Sequence, residues 1–384
     1  MLTMLTESFA KSCLARTVLQ AGAAVRIVLA CLALAVLPAC GTLYIAQAAR
    51  GQMQVLRERR PIKNVLADAR TSPTLRERLT TVEQARTFAS AQLGLPDNKS
   101  YRSYADLGRP FVVWNVVAAP EFSIAPMHWC FPIVGCVAYR GYFSEHGAEA
   151  FGAYLRRKNF DVVVEGVPAY STLGRFADPV LNTMLIYGDN ELAAIVFHEL
   201  AHQLLYVPDD SEFNEAFAVT VEETGLARWL ESLGQAQQLE HYRQERSRDM
   251  QFNTLFAQRR VQLARLYALK LPVEVMRERK RLQFEELAND MRDLERRQAV
   301  HSGYGDWISS GLNNAHLASV ATYFDCVPGF ERLLAREDGD LPRFYAAVRV
   351  LAHAPRSERH RQLCASSAQR NQQAGLAAPH LNDN

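Results

Sequence analysis

Two histidines four residues apart, with a glutamate directly after the first, stand at His198, Glu199 and His202 in VFHELAHQLLY (residues 196–206). On a helix, residues four apart project from one face, so both imidazoles can reach one tetrahedral zinc ion. Glu199 is turned about a hundred degrees from His198 and does not ligate. It is placed instead to act as general base on a water held in zinc's open position. Such a site needs a third protein ligand, and a carboxylate from a nearby helix supplies one. The stretch FNEAFAVTVEETG (213–225) offers Glu215 and Glu222, seven residues apart on one helical face. HExxH alone also occurs by chance, so the surroundings must decide whether these groups form a site.

Positioning them requires helices. Asp189 and Asn190 precede ELAAIVFHELAHQLLY, a run with the apolar content of a buried helix, and supply its N-cap. Upstream, residues 50–100 read as polar helices interrupted at Pro61. The texture then turns to strands: RPFVVWNVVAAPEFS (109–123), CVAYRGYF (136–143) and FDVVVEGV (160–167), with a helix over 144–159 capped by Ser144. Residues 226–298 are dense in Arg and Glu at helical spacing and predict a hairpin of long helices broken near Pro272. Their charge is a solvated face laced with i,i+4 pairs. A Gly/Asn-rich insert follows at 301–317, then C-terminal helices over about 312–365 and a disordered tail over 366–384. The fold class expected is α+β, predominantly helical: a small mixed sheet beside the helix of the two histidines, with a long helical hairpin after it. Residues 41–365 are taken as one domain, the strand-rich part at about 109–168 and the metal-bearing helices at about 189–230.

The whole chain of 384 residues is 48% hydrophobic and 22% charged, with 43 Lys+Arg against 41 Asp+Glu and a net charge of +2. That is an ordinary globular balance and excludes a nucleic-acid binder, since no basic block carries interleaved aromatics. RIVLACLALAVLPACG (26–41) has an arginine, an apolar run and a small-residue end, the pattern of a secretory signal. An uncleaved anchor helix is the alternative. Within that run, LPAC (37–40) resembles the lipobox of bacterial lipoproteins. The resemblance implies cleavage before Cys40, lipid on its thiol and, because Gly41 follows, sorting to the outer membrane. The protein is then expected in the cell envelope, facing the periplasm, with residues 1–40 as signal peptide. Cys13 and Cys31 leave with that signal. Cys130, Cys136, Cys326 and Cys364 remain, and four thiols allow three pairings. Pro132 and Gly135 favour a turn between Cys130 and Cys136, which pairs those two and leaves Cys326 with Cys364. A cysteine-held metal is the rival, without a partner CxxC to support it.

The pattern of Asn214-Glu215-Ala216-Phe217-Ala218 with Glu222 and Gly225 resembles the glutamate helix of gluzincin metallopeptidases, especially enzymes of aminopeptidase N type. The resemblance implies zinc held by His198, His202 and Glu215, with Glu199 as general base. Glu222 lies two turns on, where a partner for a metal-bound histidine fits. The chain departs from those enzymes in its shorter interval between His202 and the Asn-Glu pair, and by their spacing Glu222 is the alternative third ligand. Gluzincins also use a Tyr or His from a later helix on the developing oxyanion; Tyr304, His316 and Tyr323 are the candidates. For each, a cap or core role is the competing reading. The amine-gripping acidic segment of those aminopeptidases has no counterpart, although Glu121 and Glu165 lie on expected strands. Arg175 either orients substrate or pairs with Asp178. Segments including ELAAIVFHELAHQLLYV, FNEAFAVTVEETGLARWL and LNNAHLASVATYFDCVPGFERLL further resemble a putative-aminopeptidase family of bacterial lipoproteins. The function expected is hydrolysis of peptide or protein substrates by a zinc-dependent peptidase. The alternatives are a catalytically silent envelope lipoprotein with a structural metal and a partner-binding hairpin, and a zinc amidase acting on a non-peptide substrate.

Overall fold

Alternation of apolar and polar residues is interrupted at Ser72, Ser144, Asp210, Asn313 and Asp340, and each of these caps a helix with its side chain. The computed structural model describes residues 39–131, 135–299 and 303–364, with the side chains of 39–42 left out. The expected export signal through residue 38, the Cys40 side chain and the tail over 366–384 lie outside the described residues.

The chain divides into two compact units, residues 1–54 and 55–384, where the sequence reading begins its single domain at 41. The described part of the first unit belongs to helix α1 (Ala39–Arg57). Among the described residues no helix is long and apolar enough to cross a membrane. In the second unit β1 (Arg60–Pro61), α2 (Ile62–Ala67) and α3 (Pro73–Ala91) precede β2 (Ser103–Ala105), β3 (Val113–Pro120), β4 (Trp129–Phe131), β5 (Gly135–Val137) and β6 (Arg140–Tyr142). Then come α4 (Glu145–Arg156), β7 (Phe160–Val167), β8 (Val180–Leu181), α5 (Asp189–Leu204) and α6 (Ser211–Ser232). The rest is helical: α7 (Ala236–Tyr267), α8 (Val273–Gln298), α9 (Gly305–Ser310), α10 (Asn314–Phe324), α11 (Val327–Arg336), α12 (Leu341–Ala352) and α13 (Arg356–Leu363). This is α+β, predominantly helical, with small sheets.

One sheet is antiparallel, ordered β6-β3-β7, with Val113 opposite Val167 and Pro120 opposite Phe160. A mixed sheet, β1-β2-β8, is antiparallel on one side and parallel on the other. Its Tyr104, Ala105, Val180 and Leu181 share a core with Leu192, Val196 and Leu200 of α5 and with Phe213 and Phe217 of α6. The strand-rich segment at 136–143 is broken into β5 and β6, and the hairpin proper is α7–α8, because α6 continues to Ser232. Gly188, not Asp189 or Asn190, occupies the N-cap of α5; Asp189 sits in the first turn, where its charge complements the helix dipole.

Helix α10 joins the layers. Its Ala315 and Ala318 pack on Val117 and Val163 of the antiparallel sheet, while Leu317 and Val320 enter the hairpin's cluster of Phe252, Phe256, Phe284 and Met291. Gly225 lets α5 and α6 approach closely. A Cβ there would sit 2.9 Å from the buried Phe197 ring and 2.7 Å from Leu93. Both expected disulfides are formed, Cys130–Cys136 across β4 and β5 and Cys326–Cys364 between the starts and ends of α11 and α13.

Candidate metal centre

Helix α5 presents His198 and His202 side by side, their Nε2 atoms 3.2 Å apart. Glu215, in the second turn of α6, brings Oε2 to 3.4 Å from His198 Nε2 and 3.5 Å from His202 Nε2. Donors about 2.0–2.1 Å from a tetrahedral ion lie roughly 3.3 Å from one another, so these three atoms already have the spacing of one coordination face. They form a group that could hold a metal ion. Glu222 stands outside the triangle: its Oε2 is 2.9 Å from His198 Nδ1, the other ring nitrogen. That bond fixes the ring's orientation and aims Nε2 at the centre.

The electrostatics match a cation site. Burial opposes charge on His198, yet the bonds to Glu215 and Glu222 win and raise its pKa well above the ordinary value. Glu215 is pulled the opposite way: burial would raise it, but the two imidazoles hold the carboxyl well below its usual range. Glu199 is pushed up to about 6 by burial, with the imidazoles opposing. It is 7% exposed, and its Oε2 has no hydrogen-bond partner among the described residues; neither has His202 Nδ1. Buried polar atoms left this way are uncommon and mark where a ligand or water belongs.

The six residues between α5 and α6 are locked by groups far away in sequence. Asn214 donates to Val207 O at 2.7 Å and accepts from Val207 N–H at 2.8 Å. Asp209, at φ +66°, accepts the Cys136 N–H at 2.6 Å. Asp210 caps α6 through the Phe213 N–H and pairs with Arg359 and His360 at 2.7 Å each. This clamp lets a short loop deliver Glu215 to the histidines. Asp210, Glu212 and His360 also lie within metal-binding reach of one another, but Arg356 and Arg359 neutralise the carboxylates, so that group is an ion-pair network.

Of the residues considered for the oxyanion, Tyr323 lies on α10 within the electrostatic reach of Glu215 and Glu199. Its phenol is raised well above the ordinary value by burial and by the fields of Glu215, Tyr139, Glu165 and Glu199. His316 and Tyr304 have other contacts. His316 Nδ1 accepts the Asn313 N–H at 3.2 Å in a capping box, its ring 4.8 Å from Trp307. Tyr304 packs against Phe252, Phe256 and Trp307 in the hairpin cluster. Glu121 is held by Arg277 at 2.6 Å. Glu165 is different: Oε2 accepts from Ser319 at 3.1 Å, Oε1 has no partner among the described residues, and burial raises its pKa to about 7. Ser319 and Tyr323 are four apart on α10 and share a face. Arg175 is exposed, and Asp178 binds Thr172 and Gln203 instead. Tyr101 and Gln203 escaped the sequence reading, and the structural part of Asn214 was not foreseen. Only the adjacency of Asn214 to Glu215 carried a signal.

Half-buried His198, buried His202 and buried Glu215 form a group that could hold a metal ion, with Glu199 unpartnered among the described residues beside them. The chain belongs to the Aminopep family, described as "Putative aminopeptidase", whose model matches residues 43–363. Membership gives the chain a peptidase-like character. No curated protein and no solved structure matches it.

Proposed function

We propose that the protein is a zinc-dependent aminopeptidase of the cell envelope, carried on a lipid at Cys40. The observation that bears most weight is the triangle of His198 Nε2, His202 Nε2 and Glu215 Oε2, with sides of 3.2, 3.4 and 3.5 Å. A nitrogen–nitrogen–carboxylate set at this spacing fits zinc. Zinc bound there supplies Lewis acidity and brings a water's pKa towards neutrality.

The chain's own residues supply the rest. Glu199, raised to about 6, takes the proton of the attacking water and returns it to the departing amine. Tyr323 keeps its proton at neutral pH and donates it as a hydrogen bond to the carbonyl oxygen as charge develops there. Glu222 keeps His198 oriented through Nδ1. Glu165, a carboxylate without a cationic partner among the described residues, accepts the positive amino terminus of the substrate, which gives the exopeptidase reading its physical basis. Export is supported by the LPAC run and by the two disulfides, which persist in oxidising compartments.

The test combines metal analysis with aminoacyl p-nitroanilides carrying free or acetylated amines. The wild type should hold one zinc per chain, lost in Glu215→Ala and retained more weakly in Glu222→Ala, and should cleave the free amines preferentially. A wild type that takes up no zinc when zinc is supplied would sink the reading. Equal cleavage of acetylated substrates would remove the aminopeptidase part alone.

A further inference from the structure

The hairpin α7–α8 turns over at residues 268–272, and the side chains exposed around that turn serve neither the core nor the metal centre. Of the fourteen large apolar side chains exposed among the described residues, five fall between Val261 and Leu282. Leu269 and Val273, on either side of the turn, are 49% and 51% exposed, and Val275 is exposed just beyond them. Exposed aliphatic residues scattered singly are ordinary, whereas a group of them at one end of a helix pair marks an interaction surface. The turn is closed by the Leu269 N–H on Leu266 O at 3.0 Å and the Leu271 N–H on Leu269 O at 3.1 Å. Those amides can leave water without losing a partner.

Charge collects at the same end. Residues 261–282 hold six Lys and Arg against two Glu, a surplus of four where the entire chain has a surplus of two. Both glutamates are taken, Glu274 by Arg277 and Glu278 by Arg281, each at 2.7 Å. Arg277 also meets Glu121 at 2.6 Å, and Lys280 meets Asp161 at 2.6 Å. These two pairs fasten the apex to the adjoining ends of β3 and β7. Arg265, Lys270 and Arg279 are exposed and have no ion-pair or hydrogen-bond partner among the described residues. Arg265 comes four residues before Leu269 and Arg279 four after Val275, so each stands one helical turn, ~5 Å, behind an apolar side chain.

We propose that the α7–α8 apex is a membrane-docking surface: Leu269, Val273 and Val275 enter the interfacial layer of a bilayer, and Arg265, Lys270 and Arg279 bind its anionic headgroups. The side chains favour lipid over a protein partner. A protein interface gathers aromatic rings at its centre and is poor in lysine. Here the exposed residues of 261–282 include no aromatic, and Lys270 sits in the middle of the turn. The ties to β3 and β7 hold the apex in place, so little ordering accompanies docking. The proposal goes beyond the peptidase reading and needs neither zinc nor the lipid at Cys40.

The experiment uses the full chain with Cys13→Ser, Cys31→Ser and Cys40→Ser, the four disulfide cysteines kept, and an environment-sensitive fluorophore on Leu269→Cys. A second chain carries the fluorophore on Val350→Cys, an exposed position of α12. Vesicles of phosphatidylcholine alone are compared with vesicles of phosphatidylcholine mixed with phosphatidylglycerol. We expect a blue shift at Leu269 with the phosphatidylglycerol vesicles, none at Val350, and reversal of the shift by salt. The ratio of shifted to unshifted emission should fall about fivefold in Lys270→Gln, and about a hundredfold when Arg265→Gln and Arg279→Gln are added, with thermal midpoints unchanged. No shift at Leu269, an equal shift at Val350, or a shift indifferent to the three cations would each overturn the proposal. A shift that appears without vesicles and grows with protein concentration would overturn it too, and would assign the apex to a second copy of the chain. None of these outcomes bears on zinc content or cleavage, so the peptidase reading stands or falls separately.

Discussion

Helices α5–α6 and the hairpin α7–α8 are both helix pairs joined by short connections, and both contain buried charge, but they treat it in opposite ways. In the hairpin, buried Arg259 is answered on every side: Gln283 at 2.9 Å, Glu286 at 2.6 Å and Asp290 at 3.1 Å. In the α5–α6 pair, Glu199, His202 and Glu215 are each under a tenth exposed; among the described residues no lysine or arginine pairs with them, and two of their polar atoms have no partner. Satisfied buried charge is architecture. Buried charge left open is where a ligand must come, because the desolvation cost is otherwise uncompensated. The densest charge in the sequence therefore lies away from the residues on which function rests.

The sharpest way to break this contrast is to remove the open charges one at a time. Glu199→Gln should keep zinc and lower kcat by about 10²–10⁴-fold, read in the p-nitroanilide assay. If the loss is under tenfold, Glu199 is not the base. The next largest effect concerns the clamp that the hairpin lacks. Cys326→Ser opens a disulfide spanning 38 residues, loosening the helix that carries Arg359 and His360 to Asp210. A cost of about 2–5 kcal/mol is expected, measured by denaturant unfolding, with zinc affinity falling in parallel. Stability lost with zinc affinity intact would mean that the clamp does not position Glu215.

Much of this was legible in the sequence, and the failures have a common cause. The strand at 160–167, the cap at Ser144 and the histidine helix could be read because each is fixed by local pattern and capping chemistry. Glu215 was preferred over Glu222 on its Asn-Glu context; that Glu215 Oε2 stands beside both imidazoles while Glu222 meets His198 Nδ1 is a matter of packing that spacing alone does not give. His316 and Tyr304 were singled out by residue type, and the sequence did not show that their rings pack on Trp307 and the hairpin aromatics. Asp209–Cys136, Tyr101–Asp178 and Asp210–Arg359 are pairs between distant segments, and no periodicity announces them.

Two intermediate effects sharpen the contrast within α5–α6. Gly225→Ala places a methyl against Phe197 and Leu93 and should destabilise by about 1–3 kcal/mol, seen as a lower thermal midpoint; a neutral result would mean that the helices part freely. Glu165→Gln tests open charge by pH. The folded carboxyl titrates at about 7 against an ordinary value of 4.5, so the fold prefers it protonated. Its contribution is most favourable below the unfolded value and is lost as pH rises from about 4.5 to 7. Glutamine removes that loss, so the variant should gain on the order of 1–2 kcal/mol over wild type at pH 8 and nothing at pH 4. The same variant should lose its preference for free amines. A gain at both pH values would place the effect in packing rather than charge.

The smallest effect belongs to the hairpin's outer face, and it tests the comparison from the other side. Arg281 bridges Glu278 at 2.7 Å and pairs with Glu285, with all three side chains about half exposed. Water screens such pairs and side-chain ordering offsets them, so Arg281→Ala should leave the thermal midpoint essentially unmoved. Zinc content and cleavage should not move. Arg259→Ala should cost more, about 1–2 kcal/mol, because three hydrogen bonds and a buried side chain go together, again without a change in kcat. If Arg281→Ala left the thermal midpoint alone yet slowed cleavage tenfold, the charged face would belong to the substrate path. Charge density, rather than unanswered burial, would then have been the better guide to function.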